Sequence, residues 1–264
     1  MVLEDGGDYI VIAADSLSVG PHFGQVSHTA CKIVKLSDQL VFAVSGIGAY
    51  LGTANTSNLD KWDAKEIARR EFFALVNKHS GHLIQKLAEA YGESLTDRIN
   101  HDLKMEPSGP LRSYLAKQGR YEAAVFAGFD EQHQRVIVEV SVGTWVTGDM
   151  AASTTKVLPG GADTMEAEVL GHNMIAGELA EGRTERSRGW RSAIKLRTTG
   201  LGLKDRMLFE TEYVAELTAQ YDPEHVGGPI DVILVTRKHG VTWVRRKSAC
   251  RIGAPAEKSV GTQP

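Results

Sequence analysis

The segment from Tyr9 to Gly46 constrains the chain most, because it packs three Val- and Ile-rich runs, Tyr9–Ala14, Ala30–Leu36 and Leu40–Val44, between Gly, Pro, Ser and Asp residues. Runs of this length and composition predict β-strands. Residues with chemistry to offer stand among them: Asp15 closes the first run, Lys32 lies inside the second, and Ser45-Gly46 closes the third. A carboxylate and an ammonium on neighbouring strands can pair, and the positive charge would depress the pKa of a nearby terminal amine. An α-amine ordinarily titrates at ~7.7–8.0. A modest push downward leaves it neutral and able to act as a base without any histidine. The plain alternatives stay open: a buried ion pair that only fixes strand register, and an ordinary turn glycine at Gly46.

Beyond this segment the period changes. From Trp62 to about Leu103, apolar residues recur at helical spacing in two blocks separated by Ser80-Gly81: Ile67, Phe72, Phe73, Leu75 and Val76, then Leu83, Ile84, Leu87, Leu95 and Ile99. Met105 to Gly119, broken by Pro107, Gly109 and Pro110, predicts a loop that leads into strands over Ala123–Asp130, Arg135–Val142 and an edge near Trp145. Helical spacing returns over Asp163–Ala180 and Asp205–Gln220, followed by two strands, Ile230–Thr236 and Val241–Arg245, joined at Lys238-His239-Gly240. Between those helices, Arg183, Arg186, Arg188, Arg191, Lys195 and Arg197 face one acid, Glu185. That stretch, Arg183–Lys204, reads as a solvated connection, with a phosphate- or RNA-contacting patch as the sharper alternative. Ala254–Pro264 predicts a frayed tail. The order of elements predicts an α+β fold of two stacked antiparallel sheets flanked by helices, a four-layer αββα sandwich, as one domain over Met1–Gly253.

Composition narrows the function. With 264 residues and 42% hydrophobic content the chain can bury one sizeable core. A formal net charge of −3 points to no nucleic-acid or membrane partner, leaving a small soluble substrate or a protein. Two cysteines, Cys31 and Cys250, show no spacing that would staple loops or hold zinc, which suits a reducing cytosol; Cys31 reads as packed and inert, or as a thiol activated by Lys32. Nine histidines without a metal-ligand spacing predict no metal, and Gly160-Gly161 lacks any surrounding nucleotide motif, so no cofactor is expected. No stretch approaches the ~20 apolar residues of a membrane span, and no signal pattern opens the chain. A cytoplasmic protein is expected.

Three motifs in order, IAADS at Ile12–Ser16, TACK at Thr29–Lys32 and AVSG at Ala43–Gly46, resemble the proteasome β-type branch of the N-terminal-nucleophile hydrolases. The resemblance spans Tyr9 to about Val244 and is dense only at the two ends. It implies the same αββα sandwich, and a reaction in which the first residue of the mature chain attacks an amide with its side chain while its own amine takes the proton. Asp15 would orient Lys32, Lys32 would tune the amine, and Gly46 would offer its N–H to the oxyanion. The segment YDPEHVGGPIDVILV is similar to the family's Asp-x-x-Ser-Gly-Gly: Gly227-Gly228 match, Asp222 stands one position off, and Val226 replaces the serine. Leu158-Pro159-Gly160-Gly161 replaces a Gly-Ser-Gly. Val19, Ala30 and Val44 would line the substrate pocket, with Thr29, Ser45 and Glu224 as supporting polar groups.

The nucleophile itself is missing. A gapless count on Asp15 sets Met1 about two residues inside its place, Val2 has no nucleophilic atom, and the opening strand reads as cut short. The expectation is therefore a peptidase or amidohydrolase by descent, acting on a peptide or small amide, whose Thr, Ser or Cys lies upstream or has been lost. The alternative is a non-catalytic assembly or binding subunit. Homo-oligomers are common in the family, though no residue here points to one.

Overall fold

The computed structural model describes residues 1–19, 26–27, 30–46, 49–50, 62–77, 82–105, 112, 120–144, 150–158, 166–169, 174–224 and 226–250. The first half contains β1 (Val2–Gly6), β2 (Tyr9–Ala14), β3 (Ser18–Val19), β4 (Val26–Ser27), β5 (Ile33–Lys35), β6 (Leu40–Gly46), β7 (Ala49–Tyr50) and β8 (Trp62–Asp63). Two helices follow, α1 (Ala64–Val76) and α2 (Leu83–Met105), then β9 (Arg120–Phe129), β10 (Arg135–Gly143), β11 (Ala152–Val157) and β12 (Glu166–Val169). Three more helices, α3 (Met174–Glu181), α4 (Glu185–Thr198) and α5 (Leu203–Tyr221), precede β13 (Asp231–Thr236), β14 (Gly240–Arg245) and a 3-10 turn at Ser248–Cys250. The fold is mixed α+β, with two antiparallel sheets ordered β12-β1-β2-β13-β14 and β11-β10-β9-β6-β5.

Burial explains why the strands read as continuous apolar runs. β2 is covered on both faces, since Ile10, Ile12 and Ala14 join a cluster that also contains Val41, Ala43, Val125 and Ala127 of the other sheet, while Val11 and Ala13 pack with Met207 and Ala215 of α5. A strand buried on both faces needs no polar alternation. The second sheet turns Phe42, Val44, Phe126 and Val140 toward Ile67 and Phe72 of α1 and Leu87, Tyr91 and Leu95 of α2. Trp62 Nε1 donates to Asp102 at 2.9 Å and so ties the start of α1 to α2.

β1 is paired on both sides, Val2 with Ala13 of β2 and with Val169 of β12. Three expectations are corrected. The helix expected over Asp163–Ala180 gives way in part to strand β12, because the open edge of β1 recruits Glu166–Val169; among the described residues of this stretch, helix begins at Met174 and runs to Glu181. The solvated connection at Arg183–Lys204 is instead α4 and the start of α5; Thr184 and Ser187 form a reciprocal capping box, Glu185 sits in the first turn and Lys195 and Arg197 in the last, as the helix dipole favours. Cys31 and Cys250 are disulfide-bonded across 219 residues. Their distance in sequence hid a proximity that only sheet order creates, and the bond counts against the reducing compartment that the low cysteine count suggested. No described helix is long and apolar enough to cross a membrane. Most of the loop expected after Met105, the edge near Trp145 and the tail from Ala254 lie outside the described residues.

Candidate functional site

Asp15 follows β2 directly and is buried, with its carboxylate fully engaged. One oxygen meets Lys32 Nζ at 2.7 Å, and the other accepts the N–H of Leu17 at 2.9 Å and of Gly227 at 3.2 Å. Burial alone would raise its pKa, but the Lys32 ammonium, the Met1 ammonium and the Gly227 N–H together hold it below the ordinary carboxylate value. Asp15 is thus a permanent anion at neutral pH.

Lys32 approaches from the other sheet. Its carbonyl accepts the N–H of Val44 at 2.9 Å, which sets the residue against the outgoing end of β6. Two residues further on, β6 ends at Gly46, whose φ of 103° lies in the left-handed region where a side chain would be strained. Lys32 and Gly46 therefore share one end of the second sheet, and Asp15 meets Lys32 there from the end of β2 in the first.

Met1 completes the group. Because the β1–β2 hairpin turns tightly at Gly7-Asp8, with Gly6 opposite Tyr9 and Val2 opposite Ala13, Met1 stands level with Ala14 and beside Asp15. Its amine is pushed down from 8.0 to about 6, first by burial and then by Lys32, against the opposing pull of Asp15. A neutral amine at neutral pH is able to take a proton. The Met1 side chain, packed in the core between the sheets, is a thioether, which has no proton to pass to the amine and cannot hold an acyl group.

The Gly227-Gly228 loop locks the acid in place. Ser16 N–H donates to Gly227 C=O at 3.0 Å, Ser16 Oγ donates to Pro229 C=O, and Gly228 takes φ 74°. Asp222 caps the end of α5 and its carbonyl accepts the N–H of Val226 at 2.9 Å, so it shapes this loop through its backbone. Ala30 is half-buried, and its N–H donates to Ser16 C=O at 3.1 Å. Val44 is buried in the cluster beneath α1 and α2, Ser45 is half-buried, and Glu224 is exposed. The backbone of Val19 belongs to β3, and Thr29 lies outside the described residues.

A second acid and base escaped the sequence reading. Asp231 opens β13 opposite Ala14, and Lys247 follows β14; Nζ of Lys247 lies 3.0 Å from Asp231 and donates to Ala30 C=O at 2.9 Å and Asp15 C=O at 3.4 Å. The Lys247 N–H reaches Asp231 at 2.7 Å. Burial lowers the pKa of Lys247, and Asp231 opposes the shift. This pair carries the backbone of both Asp15 and the Lys32 segment. The signal was present in sequence only as a coincidence: Cys31 adjoins Lys32, and Cys250 stands three residues after Lys247.

Among the described residues, no group of three His, Cys, Asp or Glu side chains comes together to hold a metal. A scan against models of known protein families finds no match, and a search of curated proteins finds none either.

Proposed function

We propose that the protein is a proteasome-like N-terminal-nucleophile scaffold whose site, formed by position 1, Asp15, Lys32 and Gly46, is built to hydrolyse a peptide or small amide. The observation that carries this reading is a buried α-amine lowered to about 6 beside the 2.7 Å Asp15–Lys32 pair. A four-layer αββα arrangement is supported by the three successive clusters, helices to sheet, sheet to sheet, and sheet to α5. In the reaction, a hydroxyl or thiol at position 1 attacks the amide carbon and passes its proton to the neighbouring amine. The oxyanion takes the N–H of Gly46, and the protonated amine then delivers its proton to the leaving nitrogen. Water resolves the acyl-enzyme by the same route in reverse.

The methionine at position 1 cannot serve as the acyl acceptor, which makes its replacement the decisive experiment. A Met1→Thr protein, made behind an initiator methionine that is cleaved off, is incubated with a β-lactone acylating probe and weighed intact. One adduct on the introduced threonine, absent from the version that also carries Asp15→Asn, is the expected result. A folded Met1→Thr protein with a free N-terminus that stays unlabelled overturns the hydrolase reading. That outcome would favour the second one, a non-catalytic assembly or binding subunit.

A further inference from the structure

Lys32 rides on a segment that has little ladder of its own. β5 begins only at Ile33. The preceding residues are fixed by Ala30 N–H to Ser16 C=O at 3.1 Å, Lys247 Nζ to Ala30 C=O at 2.9 Å, and Val44 N–H to Lys32 C=O at 2.9 Å. Between those anchors, Cys31 is covalently joined to Cys250. Cys250 in turn donates its N–H to Lys247 C=O at 3.1 Å, so one short turn grips residue 30 through an ammonium and residue 31 through a disulfide. Both cysteines line a groove of about 750 Å³, together with Ile33, Trp243 and Arg246. Cys31 is half-buried and Cys250 buried in the wall of this groove, which gives a reagent an approach to the bond, while the neighbouring Lys32 faces inward to Asp15.

We propose that the Cys31–Cys250 disulfide is a redox latch on the Asp15–Lys32 centre, closed when oxidised and opened by a dithiol reductant that enters through the groove. One thiolate of the reductant bonds to one sulfur, the Cys31–Cys250 bond breaks, and the other sulfur leaves as a thiolate that takes up a proton. The second thiol of the reductant then closes its own disulfide and releases the first cysteine as a thiol. Two electrons pass to the protein and the reductant is oxidised. Freed of the covalent tie, the 30–32 segment is held by non-covalent contacts alone, and Lys32 withdraws from Asp15 more often. The consequence for hydrolysis rests on the function proposed above; the movement of Lys32 does not.

The test uses the full chain, oxidised or treated with dithiothreitol, trace-acylated at its lysines and read by mass spectrometry alongside hydrogen exchange. Reduction is expected to raise modification of Lys32 by about tenfold as local opening becomes easier, while exposed Lys156 is unchanged and exchange rises only around residues 30–36 and 247–250. Cys250→Ser is expected to match the reduced form under both conditions. Unaltered Lys32 reactivity with both thiols shown to be free overturns the latch. Loss of α2 protection together with that of residues 30–36 overturns it too, because the bond is then a staple of the whole fold. In the Met1→Thr protein, probe labelling should fall as the reduced fraction grows. Absent labelling in both redox states would end the hydrolase reading while leaving the lysine result to judge the latch.

Discussion

Two Asp–Lys pairs stand back to back at the ends of β2 and β13, and they differ in what surrounds them. Asp231–Lys247 is sealed, with side chains 0% and 4% exposed, and the ammonium also donates to two backbone carbonyls. Asp15–Lys32 is looser, at 3% and 14%, and has a depressed amine for a neighbour. The sealed pair acts on the backbone that carries the other. A buried pair is weak evidence of net stabilisation, yet removing one partner strands a charge; the comparison therefore teaches that one pair holds geometry and the other is available for chemistry.

The comparison breaks most visibly at Asp231. Asp231→Ala leaves the Lys247 ammonium buried among carbonyls, and should cost about 3–5 kcal/mol of unfolding free energy in a urea titration. Replacing both residues by apolar ones of similar size should recover much of that loss, while still loosening the Asp15 and Ala30 carbonyls. A loss near zero for Asp231→Ala would mean that the sealed pair is not sealed.

Asp15→Ala is the milder counterpart. It strips two N–H groups, Leu17 and Gly227, of their acceptor and leaves Lys32 without its partner. The expected loss is about 2–3 kcal/mol, smaller because the Lys32 ammonium retains a path to water. If Asp15→Ala proved costlier than Asp231→Ala, the roles assigned to the two pairs would have to be exchanged.

The same contrast explains what could be read without coordinates. Asp15 and Lys32 are legible because each punctuates an apolar run, and the strands β2, β6 and β13 are legible because burial on both faces leaves them almost wholly apolar. Asp231 and Lys247 are not: one reads as the start of a strand, the other as the last of three consecutive cations, Arg245, Arg246 and Lys247. Only the register of β13 on β2, Asp231 opposite Ala14, brings them to Asp15. α4 was missed for a different reason. Its buried side is narrow, Ser187, Trp190 and Thr198, so apolar periodicity is faint, although the Thr184 and Ser187 cap would have announced a start. Its arginines are also less free than their number suggests: Arg186 pairs with Glu178 and lies over Trp190 and Tyr221, and Arg197 lies over Phe209 and Tyr213. β12, Glu-Ala-Glu-Val, has no strand signal at all and exists because β1 offers it an edge.

The smallest effect is the most specific to the looser pair, and it concerns the Met1 amine. Its folded value of about 6 lies below the ordinary 8.0, so between those values the unfolded chain binds more protons, and stability rises with pH from 6 to 8 by roughly 1–3 kcal/mol before levelling off. Asp15, whose pKa is depressed, contributes in a separate window: its share is present above the ordinary carboxylate value of 3.8 and is lost as pH falls through the lower folded one. The amine is read directly by its rate of trace acylation against pH, with a midpoint expected at about 6. Lys32→Met removes a repelling charge and should move that midpoint up, whereas Asp15→Asn removes the charge that favours the ammonium and should move it down. Lys247→Met should leave it in place, because the sealed pair acts on carbonyls and not on the amine. A midpoint at 8.0, or one that answers to Lys247 rather than Lys32, would dissolve the distinction between a pair that holds and a pair that reacts.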